Sequence, residues 1–124
     1  MPDARFTTDH LWVRLHDGAA TVGITRFASD ALGPIARVEL PQPGRRVLAG
    51  EVCAAIETVK AASDAHAPVN GQILEANAAL LDDPALVNRD PEGAGWLYRM
   101  MPDDPAGLGG LMDQAAYNAL MDAL

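Results

Sequence analysis

Lysine is almost missing from this chain. Among 124 residues the nine basic ones are eight arginines and a single lysine, Lys60, so Lys60 is the only side-chain amine. Cysteine is equally scarce: one residue, Cys53, excludes an intramolecular disulfide framework. The spacing of Cys53, His10, His16 and His66 matches no structural metal site, and Cys53 reads as a small packing residue. Positive charge is short overall. A formal net charge of −8 argues against nucleic-acid or anionic membrane partners, which need a basic footprint, and it suits partners with basic docking surfaces. No apolar run approaches the roughly 20 residues of a membrane-spanning helix. Met1-Pro2-Asp3-Ala4-Arg5 opens no apolar signal segment, so a soluble, cytoplasmic protein is expected. Nucleophile–base pairs and phosphate-cradling glycine loops are also missing, which argues against an enzyme.

What is present is punctuation. Eleven glycines and nine prolines break the chain into short pieces, and the length is that of one domain spanning residues 1–124. Leu11-Trp12-Val13-Arg14-Leu15 and Ala20-Thr21-Val22-Gly23-Ile24-Thr25 predict a hairpin turning at Asp17-Gly18. Thr25 predicts the cap of a short helix with Phe27, Ala28, Ala31 and Leu32 on one side, stopped by Gly33-Pro34. Strands are expected at Ile35–Leu40, Val47-Leu48, Gln72–Ala76 and Trp96–Met101. Asn77 and Asp83-Pro84 read as starts of short helical turns. Gly107, Gly109 and Gly110 allow a weak helix at best. Asp113 predicts a last helix through Asp122 that buries Met112, Ala116, Ala119 and Leu120, a lid on the β core. Many short strands with close turn signals imply a mainly β fold of two small sheets packed or curled together, with short added helices.

The organising stretch runs from Glu51 to Gly71. Glu51–Thr58 is a small, β-branched run of strand length, and Ala61–Val69 leads into the turn signal Asn70-Gly71. With both arms as strands, Lys60 lies at the hinge with its side chain in water, an accessible amine on a rigid tip. On the residues alone, an ordinary solvated turn lysine is the simpler reading. Glu57 is by default a solvated strand charge, Gly71 is expected to supply the φ > 0 of its turn, and Asp64 either faces the Lys60 arm or bonds its own backbone in a turn.

Glu57-Thr58-Val59-Lys60-Ala61-Ala62-Ser63-Asp64, followed by Ala67-Pro68-Val69-Asn70-Gly71, resembles the lipoyl-attachment segment of the glycine cleavage system H protein family. That family places a glutamate three residues before the lysine and a glycine eleven after it, where Glu57 and Gly71 stand. A biotin-carrying lysine is typically flanked by methionines; here the neighbours are Val59 and Ala61. The resemblance runs from about Arg5 to Met121 and includes Val22-Gly23-Ile24-Thr25, Val38-Glu39-Leu40-Pro41, Gly95-Trp96-Leu97 and Ala115-Ala116-Tyr117. It implies the barrel-sandwich hybrid of lipoyl domains, with lipoic acid in amide linkage to Lys60 and Glu57, Gly71 and Asp64 around it. It also implies a lipoate ligase or lipoyl transferase that installs the arm, with Glu57 as a contact. Three further partners follow from it: a pyridoxal-phosphate glycine decarboxylase, a folate-dependent aminomethyltransferase and a flavin dihydrolipoamide dehydrogenase. Such a carrier is a substrate of these enzymes and not itself a catalyst.

Three positions depart from the family pattern. His10-Leu11-Trp12 replaces His-Glu-Trp, Phe27 stands where the first helix usually carries histidine, and Gly33-Pro34 replaces Gly-Asp. In the family an acidic residue and a histidine at the first two positions are associated with the groove that shelters the loaded, cationic arm; Leu11 and Phe27 are expected to make that groove apolar, and a buried ammonium without an anionic partner is costly there. This suits a neutral or sulfur-bearing arm, so a related lipoate carrier in sulfur oxidation is the alternative. An interaction module with an unmodified Lys60 is a third reading.

Overall fold

The computed structural model describes residues 4–123. Strands β1 (Ala4–Phe6), β2 (Leu11–His16) and β3 (Ala19–Ile24) open the chain, followed by helix α1 (Arg26–Leu32). Strands β4 (Ile35–Glu39), β5 (Arg46–Val47), β6 (Val52–Thr58), β7 (Ala62–His66) and β8 (Gly71–Ala76) come next. Helical turns α2 (Ala79–Asp82) and α3 (Leu86–Arg89) lead to β9 (Tyr98–Pro102), a 3₁₀ turn over Pro105–Gly110 and helix α4 (Gln114–Asp122). The strands form a six-stranded sheet in the order β1-β2-β3-β9-β8-β5 and a three-stranded sheet in the order β4-β6-β7. This is the mainly β, two-sheet fold with short added helices that the strand and turn pattern predicts.

The opening hairpin turns where expected. Asp17 and Gly18 both adopt positive φ, 52° and 81°, the pair of left-handed residues whose twist matches the flanking strands. Val13, Val22, Ile24, Ile35, Ile56 and Ile73 are buried in one core. A smaller cluster of Ala4, Phe6, Trp12 and Tyr117 lies under α4. Trp12 is fully buried, opposite Gly23 on β3, and a Cβ on Gly23 would stand 2.6 Å from the indole. Its Nε1–H donates to the Pro91 carbonyl at 2.9 Å, so the one polar atom of the ring is satisfied.

Caps and faces differ in detail from the sequence reading. Thr25 caps α1 as expected, its hydroxyl accepting from Ala28 N at 3.2 Å, and Gly33 closes the helix at φ 81°. The face that packs is formed by Ala28, Ser29 and Leu32, however, whereas Phe27 and Ala31 are exposed. Asp113 caps α4, accepting from Ala116 N at 2.8 Å. The residue α4 buries is Tyr117, with Leu120 and Met121 half-buried; Ala116 and Ala119 face outward. A large aromatic sets the packing face, and the alanines follow it. Asn77 and Asp83 do not cap α2 and α3 through their side chains. Asn77 Nδ2 instead donates to the Ala94 and Trp96 carbonyls at 2.9 and 2.8 Å, and Asp83 pairs with Arg89. The expected strand at Val47-Leu48 is shifted to Arg46–Val47, and β9 starts at Tyr98, two residues after Trp96.

The largest correction concerns Asn70-Gly71. β7 belongs to the three-stranded sheet and β8 to the other, so this dipeptide is a crossing between sheets and not a hairpin turn. Gly71 is the buried first residue of β8, paired with Val47 and Pro102, and its φ is not left-handed. A Cβ there would lie 2.3 Å from the Met101 carbonyl oxygen and 2.7 Å from the Met100 methyl. Close approach of β9 requires the glycine. Asn70 pins the crossing: its Oδ1 accepts from Ala49 N at 2.7 Å and its carbonyl from Asp103 N at 2.9 Å.

Candidate functional site

The β6–β7 hairpin carries Lys60 at its tip, exposed, in the connection where Thr58 faces Ala61 across the Val59-Lys60 loop. Cys53, Ala54, Ile56 and Ala65 anchor the two arms in the core, and β4 flanks β6 with Ile35 opposite Thr58. The tip therefore projects from a packed base. Thr58 N donates to the Ala61 carbonyl at 2.8 Å. The Thr58 hydroxyl donates to the same carbonyl at 3.2 Å and accepts from Lys60 N at 3.3 Å and Ala61 N at 3.1 Å. Next to Lys60, Val59 is 89% exposed, far more than any other large apolar residue described.

Glu57 lies on β6 opposite Ala62, and its carboxylate is 3.9 Å from the Arg37 guanidinium, which also contacts Glu39 at 3.3 Å. Exposed pairs of this kind contribute about 0–1 kcal/mol, which leaves Glu57 free to meet another charge near the tip. Asp64 is exposed on β7 opposite Ala55. It is a strand residue, so the turn bond to its own backbone is not its setting. Gly71 is not brought to Lys60; its close neighbours are Met100 and Met101.

A groove of about 330 Å³ runs beside the tip, lined by Leu32, Gly33, Pro34, Thr58, Val59 and Lys60. Its lining has no carboxylate, and Leu11 and Phe27, the expected apolar lining, are not part of it. Leu11 is a core residue, 2% exposed, and Phe27 packs its ring on His10 with centroids 4.6 Å apart. The apolar wall comes from the end of α1 and from Pro34. Leu32, Val59 and Thr58 were not among the residues expected to line it. For Thr58 the signal was available: a threonine flanking a tight connection commonly bonds the backbone of that connection.

Two buried networks lie away from the tip. Tyr117 Oη is 2.9 Å from both His10 Nδ1 and Thr25 Oγ1, which ties α4 to the start of α1. Cys53 Sγ donates to Tyr98 Oη at 3.1 Å, and burial pushes both groups' pKa values up, so the thiol stays protonated and unreactive. Among the described residues no cluster of three or more His, Cys, Asp or Glu side chains is arranged to hold a metal ion, and no helix is long and apolar enough to cross a membrane.

Two small β-sheets presenting a lysine at a hairpin tip place the chain in the class of lysine-bearing barrel-sandwich domains. The family model described as Glycine cleavage H-protein matches residues 4–123. The chain belongs to that family. It is 50% identical to a glycine cleavage system H protein of Acidiphilium cryptum over the full length of both. It is 51% identical to another from Phenylobacterium zucineum over 94% of this chain and 97% of the relative. The crystal structure of a glycine cleavage system H protein from Mycobacterium marinum superimposes with a TM-score of 0.89 at 42% identity, covering 100% of this chain and 99% of that one. These relatives favour glycine cleavage over the sulfur-oxidation alternative.

Proposed function

We propose that this chain is a non-catalytic, one-domain lipoyl carrier of glycine cleavage, with lipoic acid attached through an amide to Lys60. In this reading it moves the aminomethyl unit of glycine from a pyridoxal-phosphate glycine decarboxylase to a folate-dependent aminomethyltransferase. Dihydrolipoamide dehydrogenase then restores the carrier. The observation that carries the proposal is the placement of the chain's sole lysine, exposed at the end of a core-anchored hairpin, in a member of the Glycine cleavage H-protein family.

The residues present fit the group. Lys60 offers an amine that no fold contact needs, and acylation removes its charge. Leu32, Pro34 and Val59 offer an apolar wall against which a hydrocarbon arm can lie. When bound, lipoate supplies a reducible cyclic disulfide. The chain's own part is to hold the attachment point away from the core, to give partner enzymes one recognisable tip, and to keep its only thiol, Cys53, buried away from exchange. Glu57, one turn of the pleat before the tip, is the charged contact offered to the lipoate-installing ligase or transferase. The net charge of −8 suits basic docking surfaces on the partners.

The test is the intact mass of the protein from active cells, with fragmentation around Lys60, followed by loading with glycine and a glycine decarboxylase. A lipoyl increment on Lys60 and a further aminomethyl increment are expected. Lys60→Arg should abolish both while changing stability by less than about 0.5 kcal/mol, as usual for an exposed site. An unmodified Lys60 would overturn the carrier reading in favour of an interaction module, and a lipoylated protein that cannot be loaded would overturn glycine cleavage.

A further inference from the structure

We infer that Thr58 is a positioning residue for Lys60, whose hydroxyl holds the tip in the one conformation from which the lysine is acylated. The inference rests on the reading of Lys60 as the lipoylated residue. Its structural basis is the way the β6–β7 connection closes. Two-residue hairpin connections normally place one or both central residues at positive φ, which is why glycine and asparagine dominate them. The β2–β3 hairpin obeys this at Asp17 and Gly18. The β6–β7 connection does not. Its central residues are a β-branched valine, Val59, and Lys60, and neither is at positive φ.

The connection therefore cannot use the turn geometry that suits strand twist, and a side chain completes it instead. The Ala61 N–H, which faces back across the loop, is accepted by the Thr58 hydroxyl at 3.1 Å, and the Lys60 N–H by the same oxygen at 3.3 Å. The hydroxyl proton goes to the Ala61 carbonyl at 3.2 Å. One donor and two acceptor sites are all that a hydroxyl has, and here all three are spent on the residues at and after the lysine. Each bond is long, so it is their convergence on one oxygen that orders the loop. Thr58 itself is held by the core, half-buried in β6 with Ile35 opposite. The staple thus transmits the rigidity of the sheet to the backbone of Lys60, and an enzyme that must place the Lys60 amine meets a preordered loop.

The test compares Thr58→Val, which keeps the β-branched shape and removes the hydroxyl, with Thr58→Ser, which keeps the hydroxyl. Lipoylation is followed by mass with a lipoate–protein ligase, lipoate and ATP, and amide hydrogen exchange is read at Lys60 and Ala61. For Thr58→Val, about tenfold faster exchange at both amides and about a tenfold higher KM for the carrier are expected, the scale of one or two net hydrogen bonds. The kcat should change little, and Thr58→Ser should stay within about twofold of the parent in both readings. A purely structural role would lower thermal stability without this KM-against-kcat split. Equal KM and equal exchange in the valine variant would overturn the inference. If the unaltered protein takes no lipoate, the carrier reading falls while the exchange comparison still decides the staple.

Discussion

Substituting Gly71 distinguishes two reasons for a glycine. A Cβ at this position would meet the Met101 carbonyl oxygen at 2.3 Å, against 3.4 Å or more for ordinary contact. About 1 Å of separation must be gained. The Met100 methyl, 2.7 Å away, is the end of a flexible side chain and can turn aside. The carbonyl cannot, because β9 is bonded to β8 on one side and β3 on the other. Overpacking of this kind costs about 1–3 kcal/mol and occasionally more, so Gly71→Ala is expected to lose about 3 kcal/mol, or roughly 10–15 °C of melting temperature for a chain of this length. Gly71→Asn should lose at least as much. Gly18, at φ 81° with nothing within 4 Å of a Cβ, is the control: Gly18→Asn should be nearly neutral and Gly18→Ala should cost about 1 kcal/mol. Urea unfolding followed by tryptophan fluorescence, from Trp12 and Trp96, measures all four. If Gly71→Asn were clearly better tolerated than Gly71→Ala, the position would need a left-handed residue and the close-approach argument would be refuted.

Other expectations follow from the buried networks. Tyr117→Phe removes the hydroxyl that joins His10 to Thr25 and should cost about 1–2 kcal/mol in urea unfolding; no loss would mean that the hydroxyl is dispensable there. Cys53 and Tyr98 both have pKa values raised mainly by burial, and each keeps its proton in the fold. Their contribution is therefore complete below the unfolded cysteine pKa of about 8.5 and is lost as pH rises through the folded values. The urea midpoint should decline above about pH 9, and a thiol reagent at pH 8 should label Cys53 only after unfolding. Rapid labelling of the native protein would contradict the core placement of the thiol.

Much of the site was legible because it is local. A strand-like run, a lysine and a second strand-like run specify a hairpin tip with alternation alone, and the family resemblance assigned the lysine its chemistry. Thr25, Gly33 and Asp113 were equally readable, since a cap acts within three or four residues of itself. The wall of the Lys60 groove was not. Leu11 and Phe27 were the expected lining, but which side of β2 enters the core and which face of α1 packs depend on partners distant in sequence. Thr58 was passed over because the resemblance draws attention to Glu57 before it and Lys60 after it.

Composition and short-range pattern alone determined a mainly β chain with one side-chain amine, at the expected tip of a hairpin, and a net negative charge. Only the tertiary structure decided that Asn70-Gly71 crosses between sheets. A dipeptide reports the bend it favours, whereas the strand it delivers is chosen by the hydrogen-bonding edges and apolar faces that the remaining chain presents. The same holds for Gly71, whose missing side chain answers to a carbonyl thirty residues away, and for Tyr117, whose hydroxyl finds partners on β3's end and on His10. Close packing couples such residues through space, and no periodicity along the chain records it.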